Sequence, residues 1–391
     1  MRRIATLTFW IAAALLAGGT ARACTIFVLT GTNHTLFCNN EDWSNPATRI
    51  WFVPGGSNYY GCVYVGFDNG WAQGGLNTEG LACDWVAGFD DHYDPDATLR
   101  TVRGNPTQRM LETCASVEDA IAFYQQYREP GFPRARILVA DKTGASVIVG
   151  GVGGKLQVEK ANQCRGFGYG RRTLDEMLAK SPEPTAASGA KILRACRQKG
   201  QYATKYSNIF DLKSGDILIY PADANDVKFN LTAELRKGPH YYDIPEIREQ
   251  LTEPTKPLLS NMQRFPLDAW KPIADKEPGI TAHVRTMIED AAAGSMRAEH
   301  YTPKLWQEVS AEAKTIESDL KRLGHLDAVS LVERTTQDGK RSYRYRLEFS
   351  QSTVLQQFLF NEENKLTFSQ SECFEAKPVG EMPPMRNKLR G

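Results

Sequence analysis

Cys24 follows Ala21-Arg22-Ala23, and that small-x-small triplet is what a signal peptidase reads before it cuts. Cutting after Ala23 makes Cys24 the first residue of the mature chain, so one residue then carries both a thiol and a free α-amine. Such an amine titrates near pH ~8, so at neutral pH part of it is unprotonated and can take the thiol proton. Two later stretches supply what this nucleophile would need. In Asn39-Asn40-Glu41-Asp42-Trp43, Asp42 is a carboxylate to orient the amine and stabilise its protonated form, with Asn40 beside it. In Gly74-Gly75-Leu76-Asn77-Thr78-Glu79-Gly80, read as a turn, the Asn77 amide can donate to the oxyanion of a tetrahedral intermediate, a contact worth ~3 kcal/mol in the transition state. The blander alternatives are that Asp42 caps or turns the chain and that Asn77 is an ordinary turn residue.

The elements around these residues follow from periodicity and turn chemistry. Cys24 to Leu29 alternates and is β-branched or aromatic, Gly31 to His34 is turn-like, and Thr35 to Asn39 resumes a strand. This is a hairpin with Cys24 at its free end, and its return brings Asn40 and Asp42 toward the Cys24 amine. Further strands are predicted at Arg49 to Val53, Gly61 to Phe67, Glu79 to Val86, Ala135 to Ala140 and Ser146 to Gly150, with helices at Pro106 to Ser116 and Val117 to Tyr127. After residue 253 the character changes. Residues 254–279 form a proline-punctuated connector, and residues 280–391 read as a separate α+β domain. In that domain, helices near Ile280 to Ala293 and Pro303 to Leu323 precede alternating segments at Ala328 to Arg334, Ser342 to Phe349, Thr353 to Phe360 and Lys365 to Ser371.

Composition bounds the rest. The chain has 391 residues, 41% hydrophobic and 24% charged, an ordinary globular profile with room for two domains. Residues 1–23 form a leader: Arg2 and Arg3 precede an apolar run from Ile4 to Ala17, too short to span a bilayer comfortably. Its removal takes three arginines and no acid, moving the formal charge from +1 to −2, which favours neither nucleic acid nor a membrane surface as partner. An exported, periplasmic or secreted protein without stable membrane insertion is expected; a homo-oligomer is left open. With Cys24 reserved for chemistry seven cysteines remain, so at least one more is unpaired. No CxxC spacing or HExxH motif suggests a metal, and no cofactor is expected. Asp90, Asp91, His92, Asp94 and Asp96 crowd one loop but lack the glycine and terminal glutamate of a calcium-binding EF-hand, so they read as a solvated acidic loop. A Cys-His enzyme would need one of six scattered histidines beside Cys24.

Cys24-Thr25, Asn40-Glu41-Asp42-Trp43, Asn77-Thr78-Glu79-Gly80-Leu81 and Tyr206-Ser207-Asn208-Ile209-Phe210-Asp211-Leu212-Lys213, in that order, resemble the choloylglycine hydrolase and penicillin V acylase group of N-terminal nucleophile hydrolases. Asn39 stands where that group has arginine, and in this the chain looks closer to the broader linear-amide hydrolase and isopenicillin N acyltransferase-like relatives. The resemblance implies a four-layer αββα sandwich over residues 24–253, with Cys24 as nucleophile, Asp42 near its amine and Asn77 at the oxyanion. It also implies a second active-site asparagine shortly before an arginine-bearing helix, for which Asn162 and Arg171, ahead of a helix at Arg172 to Lys180, are the nearest candidates. The C-terminal strands look like small nuclear transport factor-like modules. The activity implied is hydrolysis of a linear, non-peptide amide in a small N-acyl substrate through an acyl-thioester. The alternatives are acyl transfer to an amine from the same intermediate, or a lipid-anchored exported binding protein.

Overall fold

Strand β1 (Thr25–Thr30) is apolar on both faces, and that dictates an interior position. Ile26 and Val28 enter one hydrophobic core, Phe27 and Leu29 another. The computed structural model describes residues 24–89, 93, 95, 96, 98–222, 226–337 and 339–377. The leader and Asp90, Asp91, His92 and Asp94 lie outside the described residues. After β1 come β2 (Thr35–Asp42), β3 (Thr48–Val53), β4 (Cys62–Phe67), β5 (Ala72–Asn77), β6 (Ala82–Ala87), β7 (Ala135–Ala140), β8 (Ser146–Val152), β9 (Lys155–Ala161) and β10 (Arg165–Gly168). Then follow β11 (Thr204–Asp211), β12 (Asp216–Pro221), β13 (Val227–Asn230), β14 (His240–Asp243) and the two-residue β15 (Lys256–Pro257). They form two antiparallel sheets, ordered β10-β1-β2-β11-β12-β13 and β15-β14-β3-β4-β5-β6-β7-β8-β9.

The two sheets bury a shared core that includes Ile26, Phe37, Ile50, Val63, Leu138 and Phe210. Helices α1 (Pro106–Thr113) and α2 (Val117–Gln126) cover the outer face of the nine-stranded sheet through Met110, Leu111, Ile121 and Tyr124. Helices α3 (Arg171–Leu178) and α4 (Ala186–Ala195) cover the outer face of the six-stranded sheet through Leu174, Ile192 and Leu193. The result is a four-layer αββα sandwich. Among the described residues, no helix is long and apolar enough to cross a membrane.

The C-terminal region has three further helices, numbered α5 (Pro278–Ala292), α6 (Pro303–Ala311) and α7 (Ala313–Leu323). They pack on a meander of β16 (Leu326–Gln337), β17 (Lys340–Phe349), β18 (Ser352–Phe360) and β19 (Leu366–Ala376) around Val284, Leu320, Tyr345 and Phe358. The single helix expected over Pro303 to Leu323 breaks at Glu312, which ends one helix and starts the next.

Other expectations need correction. The turn expected over Gly74 to Gly80 is confined to Thr78 to Gly80, and the stretch before it is strand β5 as far as Asn77. Its glycines are there because a Cβ on Gly74 would lie 2.4 Å from the Asp84 carboxyl and one on Gly75 2.3 Å from the Val63 carbonyl. Strands β9 and β10 were not legible as strands; β9 alternates exposed with half-buried residues and offers no apolar run. The connector at 254–279 is not a free linker. Its β15 joins β14, Met262 and Leu267 are buried, the Asn261 side chain donates to the Asp68 carbonyl, and the Ile273 N–H donates to the Leu331 carbonyl. All eight cysteines are free.

Candidate active site

Cys24 stands immediately before β1, one strand in from the β10 edge of the six-stranded sheet, and is 9% exposed. Thr25 pairs with Asn40 and Ile26 with Asn39, so the hairpin's next row sets Cys24 across from Glu41. The Cys24 thiol donates to Glu41 Oε1 at 3.6 Å, and the Asp42 N–H donates to Cys24 Sγ at 3.5 Å. Glu41 Oε2 accepts from Asn39 Nδ2 at 3.4 Å and from the Tyr206 hydroxyl at 3.3 Å, and Asn39 Nδ2 also donates to Asn208 Oδ1 at 3.4 Å. Asp42 Oδ1 accepts from the Thr204 hydroxyl at 2.5 Å. Consecutive strand residues ordinarily face opposite sides, yet Glu41 and Asp42 both line the cavity that holds Cys24. The register of β11 slips between Thr204 and Tyr206, and this bulge lies against Glu41 and Asp42 at the strand's end, where strict alternation is lost.

The Cys24 backbone is held by β10 and the residue that follows it. Tyr169 N–H donates to the Cys24 carbonyl at 3.0 Å, and the Thr25 hydroxyl donates to the Tyr169 carbonyl at 2.9 Å. Gly168 lies opposite Thr25 at φ +122°, where a Cβ would come within 1.9 Å of the Cys24 carbonyl oxygen. Only glycine allows that approach.

The charges around the thiol are unbalanced. Burial pushes the Cys24 thiol well above its ordinary range, and the fields of Glu41 and Asp42 push it further, against the Asp42 N–H. Burial raises Glu41 to about 7 despite its hydrogen bonds from Asn39, Cys24 and Tyr206. It raises Asp42 to about 8, more than the Thr204 hydroxyl, Arg197 and Lys205 pull it back. Asp84 is raised by burial and by Glu41, and its Oδ2 has no hydrogen-bond partner; nor does Asp42 Oδ2. Three buried carboxyls therefore gather about one thiol, and no lysine, arginine or histidine lines the cavity among the described residues.

The sequence candidates divide by position. Cys24 and Asp42 are brought together. Asn40 sits on the other face of β2, donating to the Leu193 carbonyl at 2.9 Å and accepting from the Ser207 hydroxyl at 2.6 Å, so it ties β2 to α4. Asn77 has spent its amide: both N–H groups go to the Leu111 and Cys114 carbonyls at 2.8 Å, and its oxygen accepts from the Glu79 and Leu81 N–H groups. It has no hydrogen left for an oxyanion and does not line the cavity. Asn162 and Arg171 line a different cleft; Asn162 is exposed, and Arg171 is paired with Asp175 at 2.7 Å. Glu41, Tyr206 and Asn208 were missed. Counting residues across the Gly31 to His34 turn would have found Glu41, because that count sets it opposite Cys24.

The cavity has a volume of about 150 Å³ and runs from Cys24 past the rings of Trp43, Phe67, Trp71 and Trp85. One wall belongs to the C-terminal region: residues 370–374 of β19. Buried Arg344 of β17 fixes that wall, donating from Nε to Glu372 at 2.8 Å, from Nη1 to Glu333 at 2.6 Å and from Nη2 to Asp68, just beyond β4, at 3.1 Å. Burial alone would lower the Arg344 pKa, but Glu372, Asp68 and Glu333 together outweigh it and hold the guanidinium charged.

No family model matches this chain, and no curated protein does. Among solved structures, the penicillin V acylase from Agrobacterium tumefaciens is similar at 18% identity and a TM-score of 0.47, over 60% of this chain and 99% of that one. Two substituted forms of the conjugated bile acid hydrolase from Clostridium perfringens are also similar. One has 15% identity and a TM-score of 0.43 over 54% of this chain and 93% of its own; the other has 14% and 0.45 over 61% and 99%.

Proposed function

We propose that this chain is an exported amidohydrolase whose nucleophile is Cys24 at a processed N-terminus, cleaving a linear, non-peptide amide. One observation carries the reading. A buried thiol lies among Glu41, Asp42 and Asp84 without a cation in the cavity wall among the described residues, and an α-ammonium on Cys24 would be that cation. In the proposed reaction the Cys24 sulfur attacks the substrate carbonyl while the freed α-amine takes the thiol proton. The amine then passes the proton to the departing nitrogen as the C–N bond breaks, leaving an acyl-thioester. Water, deprotonated by the same amine, attacks the thioester and releases the acid and the thiol. Glu41 and Asp42 orient the amine and stabilise its protonated form each time it carries a proton.

The test is mass spectrometry of the exported protein together with acyl-enzyme trapping on a panel of N-acyl amides. A mature chain beginning at unmodified Cys24, and an acyl adduct that Cys24→Ala abolishes, are expected. A different terminus, a diacylglyceryl group on the sulfur, or turnover that survives Cys24→Ala would overturn the assignment. If added amine, rather than water, resolves most of the thioester, the activity is acyl transfer.

A further inference from the structure

Among the described residues four carboxyl side chains line the cavity; on the amidohydrolase reading a Cys24 ammonium would answer two of them, and Arg344 answers a third. Glu41 and Asp42 flank the nucleophile, and Glu372 is held by Arg344 at 2.8 Å. Glu129 has no such partner. It is 7% exposed, its Oε1 accepts from the Gly131 N–H at 2.9 Å, and its Oε2 is buried with no hydrogen bond. Burial pushes its carboxyl up to about 7, and only the Gly131 N–H opposes this. The Trp85 ring borders the same glycine as Glu129: a Cβ on Gly131 would stand 3.3 Å from Glu129 Oε1 and 3.5 Å from that ring, and both side chains line the cavity. Trp85 spends its own N–H on the Thr107 hydroxyl at 2.9 Å, so what it offers a ligand is the ring. A carboxyl with one oxygen left without a hydrogen bond, close to an indole and in a wall without a basic residue among the described residues, is suited to a cationic nitrogen. The carboxylate supplies the charge and the ring supplies its negative quadrupole.

We propose that this end of the cavity receives a protonated nitrogen of the substrate, so that the preferred substrates are N-acyl amines bearing a second, cationic amine and no carboxylate. The proposal rests on the amidohydrolase reading for the bond that is broken, but its recognition step can be measured without turnover. A substrate carboxylate would have to be buried beside Glu129 with no counter-ion from the cavity wall, and that penalty sets the selectivity.

The experiment uses the full processed chain carrying Cys24→Ala and three phenylacetamides of matched length, ending in an ammonium, a methyl or a carboxylate, titrated by calorimetry. The ammonium compound is expected to bind on the order of tenfold more tightly than the methyl one, and the carboxylate compound more weakly than either. Adding Glu129→Gln, whose side-chain oxygen can still accept from Gly131, is expected to erase the ammonium preference; a thermal melt reports that the variant is folded. Equal affinity for ammonium and methyl, a preference for carboxylate, a preference that survives Glu129→Gln, or no binding of any of the three would overturn the proposal. The two readings fail separately. Amides cleaved through a Cys24 thioester without charge preference would remove only this inference, whereas ammonium-selective binding without a thioester would remove only the hydrolase assignment.

Discussion

Replacing Arg344 by methionine would show whether the C-terminal region is an integral wall of the cavity. Methionine keeps much of the side-chain volume and removes the guanidinium that joins Glu372, Glu333 and Asp68. The Glu372 side chain is only 1% exposed, so its carboxylate is left buried without a counter-ion. Breaking a buried pair from one side costs roughly 3–5 kcal/mol. At ~2–4 °C per kcal/mol for a cooperative unit of this size, that lowers Tm by roughly 10 °C. The loss carries a pH signature. Burial works to raise the Glu372 carboxyl and Arg344 works to lower it, so removing Arg344 leaves a carboxyl that folds more readily protonated. The cost of Arg344→Met is therefore smaller near pH 5 and grows as pH rises. Arg344→Met/Glu372→Gln removes the orphaned charge and is expected to regain more than half of the lost stability. Urea melts of wild type, both single variants and the double variant at two pH values close the cycle. A single variant within about 1 kcal/mol of wild type, or a double variant no better than Arg344→Met, would refute the reasoning.

Three further outcomes follow from the geometry. Asn77→Ala removes four hydrogen bonds, three of them buried, and is expected to cost several kcal/mol of stability, at roughly 1 kcal/mol or more each, while the acylation rate of the folded fraction falls less than about tenfold. An oxyanion role would instead cost ~100–1000-fold in single-turnover kinetics. Gly168→Ala forces a Cβ against the Cys24 carbonyl, so the Cys24 backbone must shift; lower Tm and lower acylation are expected together, and an unchanged acylation rate would contradict the tight approach. Glu129 is raised from 4.5 to about 7 by burial, so its contribution to stability is fully present below pH ~4.5 and is lost as pH rises through ~7, a change of roughly 3 kcal/mol. In denaturant melts across that window Glu129→Gln is expected to flatten the slope, and a slope equal to wild type would sink the assignment.

What was legible in the sequence is what neighbouring residues determine. The hairpin that presents Cys24, helices α1 and α2 and the C-terminal meander are written in local periodicity, whereas α4 was not read at all and the layered sandwich was expected from the resemblance alone. Asp42 was found because a carboxylate after the return strand is conspicuous, but its approach to the thiol depends on a slip in β11 at Thr204 to Tyr206, 162 residues away, where no local signal marks a bulge. Glu41 needed no distant information, since alternation with Asn39 already puts it on the inner face. Asn77 shows the opposite failure. Its turn chemistry was visible, but the carbonyls that consume its amide belong to Leu111 and Cys114 at the end of α1, and only the packed structure reveals that they get there first. Asn162 and Arg171 were candidates from the resemblance alone, and they line a different cleft from Cys24. The C-terminal strand was legible as a strand and illegible as a wall, because nothing in residues 370–374 announces which surface they will close. The hairpin that carries Cys24 is thus a local property, whereas the polar lining of the cavity, including the Glu129 oxygen left without a hydrogen bond and the want of a cation in the wall among the described residues, emerges only where segments remote in sequence meet. Ligand selectivity should therefore respond to substitutions at such meeting points, Glu129 and Arg344 among them, more strongly than to any change within the hairpin that leaves Cys24 in place.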